Sequence, residues 1–107
     1  MDIPLTPDVS IDDSEQQDRI TRIYPNPCTS YTAIKYFMKF SGNVDIGVYN
    51  IKGQKVVTLV NEYIEAGYHD VTFDNLTEYT AGLTSGIYFM KLETKHASHV
   101  EKFIILE

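Results

Sequence analysis

Apolar and polar residues alternate along most of the chain from residue 20 onward, and this two-residue period is typical of half-buried β-strands. In one such segment the alternation predicts that Ile34, Tyr36 and Met38 share the inward face of a strand. No segment keeps a helical period. About seven short strands are predicted in all, at residues 20–24, 32–38, 44–49, 55–60, 68–73, 86–92 and 99–106.

Glycines and polar clusters separate these segments and define the connections between the strands. The hairpin connection at residues 50–54 contains Gly53, which we expect to take a positive φ. Gly86 begins a later strand, in which Tyr88 is expected to point inward beside Met90 and Leu92. Short strands with turns about every 8–12 residues indicate an all-β fold, an Ig-like antiparallel β-sandwich.

The sequence Tyr24-Pro25-Asn26-Pro27 marks a stiff connection between the first two predicted strands. Each proline fixes its own φ and removes one amide donor. Each proline also keeps the residue before it, Tyr24 or Asn26, away from helical angles. We therefore expect a rigid corner at this point.

The first nineteen residues differ from the rest of the chain in charge. The chain has a net charge of −6, and residues 1–19 hold six acids and one base. This stretch contains two prolines and no aromatic residue, which predicts an acidic linker ahead of one folded domain at residues 20–107. A short edge strand is the alternative, because four apolar residues between positions 3 and 11 all occupy odd positions.

Composition argues against several classes of function. A nucleic-acid surface needs a basic patch, and the chain has 15 acids against 9 bases. One cysteine cannot form an intrachain disulfide or a multi-cysteine zinc site. No apolar run approaches the roughly 18 residues of a membrane span. The first ten residues do not resemble a signal peptide, which leaves either a cytoplasmic protein or a leader carried by a longer parent.

The reactive side chains form no recognisable catalytic arrangement in the sequence. His96 and His99 lie in or next to a predicted turn without a cysteine nearby, and we expect solvated histidines rather than metal ligands. Cys28 has no adjacent base or oxyanion hole, and we expect a small buried or half-buried thiol. The chain is therefore predicted not to be an enzyme and to need no cofactor or metal.

Five short motifs carry a resemblance to a known family. They are Ile23 to Pro27, Val48 to Val56, Ala66 to His69, Leu83 to Phe89 and Lys102 to Leu106. Over residues 20–107 their order and spacing resemble the C-terminal sorting domain of type IX (Por) secretion cargo proteins, type A. The chain is also similar to the Ig-like domain of flagellar hook-capping proteins. Cys28 and Phe73 stand where the sorting family often has Phe and Trp, and both positions remain apolar.

The resemblance implies a role as well as a fold. Such a domain is a non-catalytic address label that the type IX machinery binds, with an outer-membrane shuttle and a sortase as partners. We expect it to act as a monomer. The implied route takes the cargo through the periplasm and across the outer membrane to the cell surface or the medium. The sortase then removes the domain by a cut that the resemblance places in the acidic stretch 1–19.

The terminal motif of the family maps onto the last predicted strand. It consists of Lys102, Phe103, Ile104, Ile105 and Leu106, and the resemblance implies that these residues bind the secretion machinery. The alternative is that they only complete the sandwich. A last strand is able to do both, as part of the core and as a docking edge.

A different class of function is an Ig-like spacer or a carbohydrate-binding module attached to an extracellular enzyme. Sugar-binding surfaces use exposed aromatic rings, and the chain has no tryptophan. Phe37, Tyr63 and Tyr79 are the candidate aromatic residues for this alternative.

Overall fold

In its described residues the protein is an all-β sandwich of seven antiparallel strands, as the sequence predicts. The computed structural model describes residues 17–74 and 83–106, and no helix occurs among them. The strands are β1 (Arg19–Tyr24), β2 (Tyr31–Met38), β3 (Gly42–Tyr49), β4 (Lys55–Ile64), β5 (Gly67–Asp74), β6 (Gly86–Thr94) and β7 (Ser98–Ile105).

The strands form two sheets. The order is β1-β2-β5 in the three-stranded sheet and β4-β3-β6-β7 in the four-stranded sheet. All of these pairs are antiparallel. The last strand therefore lies at an edge of the larger sheet, with β6 as its ladder partner.

The inner faces of the two sheets form the core, and the alternation along each strand selects the residues that enter it. Ile34, Tyr36 and Met38 of β2 are all buried, as expected. Tyr88, Met90 and Leu92 of β6 are also buried together, which confirms the predicted direction of Tyr88. The remaining fully buried large side chains are Phe73, Phe103, Ile46, Ile105, Val44 and Val48.

The hairpin between β3 and β4 is closed by one side chain and one glycine. Asn50 Oδ1 accepts hydrogen bonds from the amides of Lys52 (2.9 Å) and Gln54 (3.0 Å). Gly53 has φ = 84°, as the sequence predicts. This left-handed conformation is available to glycine without the steric cost that a Cβ brings.

Strand β4 is longer than the sequence predicts. It continues past Val60 to Ile64 and pairs with the first residues of β3, with Asn61 opposite Asp45 and Tyr63 opposite Asn43. The polar residues after Val60 have low intrinsic preference for strands. They are held by the hydrogen bonds to β3, which a propensity argument does not include.

The folded part of the described chain begins before residue 20. Asp18 is buried, with 2% of its surface exposed. Its carboxylate accepts one hydrogen bond from the Lys39 amide and one from the Thr94 hydroxyl, each 2.7 Å long. The rest of the predicted linker, residues 1–16, and the alternative edge strand there lie outside the described residues.

Candidate partner-binding site

The terminal motif is divided between the core and the surface. In β7 the side chains of Phe103 and Ile105 are fully buried. Lys102 and Ile104 project from the opposite face of the strand, because successive side chains alternate. Leu106 follows the strand and keeps 47% of its surface exposed. Two residues of the motif therefore hold the strand in place, and three are available to a partner.

Phe103 joins the two sheets. Its ring meets the ring of Phe73, from the three-stranded sheet, edge to face at 5.8 Å between centroids. It also lies 6.1 Å from the ring of Tyr88 on the neighbouring strand β6. The Tyr88 hydroxyl donates a hydrogen bond to the carbonyl of Thr84 (2.9 Å), which satisfies its polar group beside the core.

The corner between β1 and β2 covers the outer edge of β7. The Asn26 carboxamide accepts a hydrogen bond from the Ile104 amide (3.0 Å) and donates one to the Lys102 carbonyl (3.3 Å). The Cys28 amide then donates to the Ile104 carbonyl (2.9 Å), and the Cys28 carbonyl accepts from the Leu106 amide (2.8 Å). Four hydrogen bonds thus occupy the edge of the terminal motif.

The same corner is fixed to its own sheet. The buried Thr32 hydroxyl donates a 2.6 Å hydrogen bond to the carbonyl of Pro25. Tyr24 and Pro27 are exposed, and the guanidinium of Arg22 lies 4.7 Å from the Tyr24 ring centroid. The peptide bonds before Pro25 and Pro27 are both cis. The predicted corner is therefore present, with Asn26 directed at the last strand.

The outer face of the four-stranded sheet carries an apolar surface around Phe89, with Lys102 at its edge. Phe89 lies between Tyr49 on β3 and Lys102 on β7, directly opposite each of them in the strand pairing. Ile87 faces Ile104 across the same two strands. We define the outer patch as Lys102 together with six hydrophobic residues of this side of the domain, which are Tyr49, Ile51, Ile87, Phe89, Val100 and Ile104.

A shallow groove runs through one side of the outer patch. The residues that line it are Tyr49, Asn50, Ile51, Gly53, Phe89, Lys91 and Val100. Ile51 is 73% exposed and Val100 is 49% exposed, although both are aliphatic. Exposed apolar residues that gather in one place are typical of interaction sites, whereas isolated ones are common on any surface.

Two lysines of this face pair with carboxylates, and one of them, Lys91, also lines the groove. Lys55 Nζ lies 2.8 Å from an Asp45 carboxylate oxygen, and this hydrogen bond raises the pKa of Lys55. Lys91 Nζ lies 3.7 Å from a Glu93 carboxylate oxygen. Lys102 differs from these lysines, because it forms no ion pair within residues 17–74 and 83–106.

In the described part of the chain, the residues considered for catalysis or metal binding, Cys28 and His99, make contacts within the fold. Cys28 is fully buried, and burial raises the pKa of its thiol, which opposes formation of a nucleophilic thiolate. His99 Nδ1 accepts a hydrogen bond from the Ile20 amide (2.8 Å), and its Nε2 lies 3.0 Å from a Glu101 oxygen. Within residues 17–74 and 83–106, no group of three or more His, Cys, Asp or Glu side chains could hold a metal ion.

Of the three aromatic residues considered for sugar binding, the two that the structure describes lie on different sheets. Phe37 lies on β2 in the three-stranded sheet, where its ring is 4.8 Å from that of Tyr68. Tyr63 lies on β4 in the other sheet. Tyr79 lies outside the described residues.

The sequence analysis proposed Lys102 and Ile104 as partner-binding candidates but did not connect them to the residues around them. A signal was present, since Ile87 and Phe89 are apolar on the face opposite Tyr88 and Met90. Tyr49 and Val100 belong to other strands, and no local pattern connects them to Phe89. The role of Asn26 was also missed, because its partners lie 76 and 78 residues away.

Comparison with known proteins gives a family and a fold. The family model described as a secretion system C-terminal sorting domain matches residues 22–106. This range contains the corner, the outer patch and the terminal motif. No curated protein matches the chain. Among the described residues, no helix is long and apolar enough to cross a membrane.

Two solved structures from Porphyromonas gingivalis share the fold. One is the dimeric latent PorU, with a TM-score of 0.62 and 19% identity over 81% of this chain. The other is PorZ, an essential bacterial surface component of the type IX secretion system, with a TM-score of 0.55 and 12% identity over 82% of this chain. The chain spans about a tenth of those proteins, 9% of the first and 11% of the second.

Proposed function

The chain belongs to the family of secretion-system C-terminal sorting domains of type IX secretion, and from this we propose that it is the folded signal that directs a cargo protein across the outer membrane. One observation carries the proposal. The family match extends over residues 22–106 and therefore includes the complete sandwich after the first three residues of β1.

We propose a protein-binding role without catalysis. The features that support it are surfaces rather than reactive groups. Cys28 is buried beneath the corner, and the described histidines make structural contacts. The outer patch, in contrast, exposes aliphatic and aromatic side chains on a rigid sheet, which is the kind of surface that another protein covers.

The proposed partners are the components of the type IX machinery, an outer-membrane shuttle and a sortase. We propose that they bind the terminal motif through Lys102, Ile104 and Leu106. These three side chains are directed away from the core. Phe103 and Ile105 then act indirectly, since their burial keeps β7 in register with β6.

The proposed route follows from the same role. The parent protein crosses the inner membrane with a leader, and the folded domain is bound in the periplasm. After passage through the outer membrane, the sortase cuts within the acidic stretch 1–19 and leaves the cargo secreted or at the cell surface. We propose that the domain acts in this sequence as a monomer.

An export assay tests the proposal. A leader and a fluorescent reporter are fused in front of residues 1–107 and expressed in a type IX-competent bacterium. We expect the reporter outside the cell, and we expect it in the periplasm of a strain without the outer-membrane translocon. A reporter that stays periplasmic in the competent strain, where an established sorting domain exports the same reporter, would show that the proposed function is wrong.

A further inference from the structure

We propose that the outer patch is a docking surface for a partner segment that presents a carboxylate between apolar side chains, with the carboxylate placed on Lys102. The inference rests on the proposed function and adds to it the chemistry of the partner. It also extends the site from the terminal motif to residues of β3, of β6 and of the hairpin after β3.

The first argument is that the Lys102 ammonium has no ion-pair partner among the described residues. The other lysine near the patch, Lys91, has a carboxylate oxygen of Glu93 at 3.7 Å and lies 5.6 Å from the Tyr49 ring centroid. Lys102 has no ion pair within the described residues, and its cross-strand neighbour is the ring of Phe89. The patch thus places a positive charge, with no ion pair among the described residues, on the edge strand beside Phe89.

The second argument is the cost of covering such a surface. A partner that is entirely apolar would remove the Lys102 ammonium from water without supplying a counter-charge, which is unfavourable. A partner with a carboxylate at this point forms a charge-assisted hydrogen bond in surroundings where water is excluded. Apolar side chains on either side of the carboxylate then occupy the groove formed by Tyr49, Ile51, Phe89 and Val100.

The third argument is that the edge of the terminal motif is closed to strand addition. An incoming strand would bind outward backbone groups of Lys102 and Ile104, and the Lys102 carbonyl and both groups of Ile104 are already bonded to Asn26 and Cys28. A partner must therefore contact this motif through its side chains or displace the corner. The outer patch is the surface on which those side chains lie.

Variants of Lys102 test the charge requirement in the same export assay. We expect Lys102→Arg to keep more export than any other change at this position, because it keeps the positive charge. We expect Lys102→Met to lower the export rate about tenfold and Lys102→Glu to lower it further, since the first leaves the carboxylate unpaired and the second repels it. Lys95→Glu, an equal charge change in the exposed β6–β7 turn, is the matched control and should export normally.

Variants of the apolar residues test whether the partner also contacts the hydrophobic side chains of the outer patch. Ile87→Asn changes an exposed patch residue, and Tyr68→Asn changes an exposed residue of the other sheet. We expect only Ile87→Asn to lower export. Thermal unfolding of each purified variant must show a midpoint close to that of the unchanged chain, so that altered export does not result from unfolding.

The outcomes separate this inference from the proposed function. Normal export of Lys102→Met, or equal loss with Lys95→Glu, shows that no carboxylate is paired with Lys102, although the unchanged chain still exports. Failure of the unchanged chain to export refutes the proposed function itself. Binding of the purified chain to phosphatidylglycerol vesicles that is lost with Lys102→Met would show that the patch docks to a membrane, and would overturn a protein partner.

Discussion

Replacement of Phe103 by alanine should cause one of the largest losses of stability that a single change in this protein can produce. The side chain is fully buried, and it contacts Phe73 on the opposite sheet and Tyr88 on the adjacent strand. Truncation of a buried phenylalanine costs about 3–5 kcal/mol, because transfer energy is lost and a cavity remains. Small domains have a total stability of about 5–15 kcal/mol.

Urea unfolding of the purified chain measures this loss directly. With an m-value of about 1.5 kcal/mol per M, a loss of 3–5 kcal/mol lowers the midpoint by about 2–3 M. Leu106→Ala is the matched control, since it also truncates an apolar residue of the terminal motif, but one that is half exposed. We expect Leu106→Ala to change the free energy of unfolding by no more than about 0.5 kcal/mol.

The same two variants separate folding from recognition in the export assay. Phe103→Ala should lower export because the domain unfolds, and growth at lower temperature should restore part of it. Leu106→Ala should leave the fold intact, so any loss of export reports contact with the partner. If Phe103→Ala costs less than about 1 kcal/mol, the ring does not join the two sheets as described, and the assignment of core and surface within the motif fails.

Three further predictions concern the corner and the hairpin. Asn26→Ala should destabilise the protein by about 0.5–1.5 kcal/mol, because the exposed Ile104 amide exchanges its bond to Asn26 for one to water, and loss of protection of the Ile104 amide in hydrogen exchange would confirm it. The Cys28 thiol should react slowly with an alkylating reagent in the folded state and rapidly in urea, since burial raises its pKa and blocks access; equal rates in both states would contradict this. Gly53→Ala should cost about 1 kcal/mol or more in thermal unfolding, because φ is +84°, whereas Gly42→Ala lies in open space and serves as the control.

The sequence alone determined the fold class and the division of each strand into inward and outward faces. Alternation has a period of two residues, so it can be read within a single segment. For this reason the inward directions of Ile34, Tyr36 and Tyr88 were predicted correctly. The positive φ of Gly53 was also predicted, from its place in a hairpin connection. The length of β4 was not predicted, because its last residues are held by pairing with β3 rather than by their own preference for strands.

The tertiary structure alone decided which residues of different strands lie side by side on one surface. Tyr49, Phe89 and Lys102 are far apart in the chain and become neighbours because β6 lies between β3 and β7. Asn26 reaches the last strand for a similar reason, since the corner crosses from one sheet to the edge of the other. Strand order and sheet packing depend on contacts between distant residues, and a local pattern of polar and apolar positions contains no information on those contacts. The terminal motif was therefore visible in the sequence, whereas the patch around Lys102 and the closed edge beside it required the folded chain.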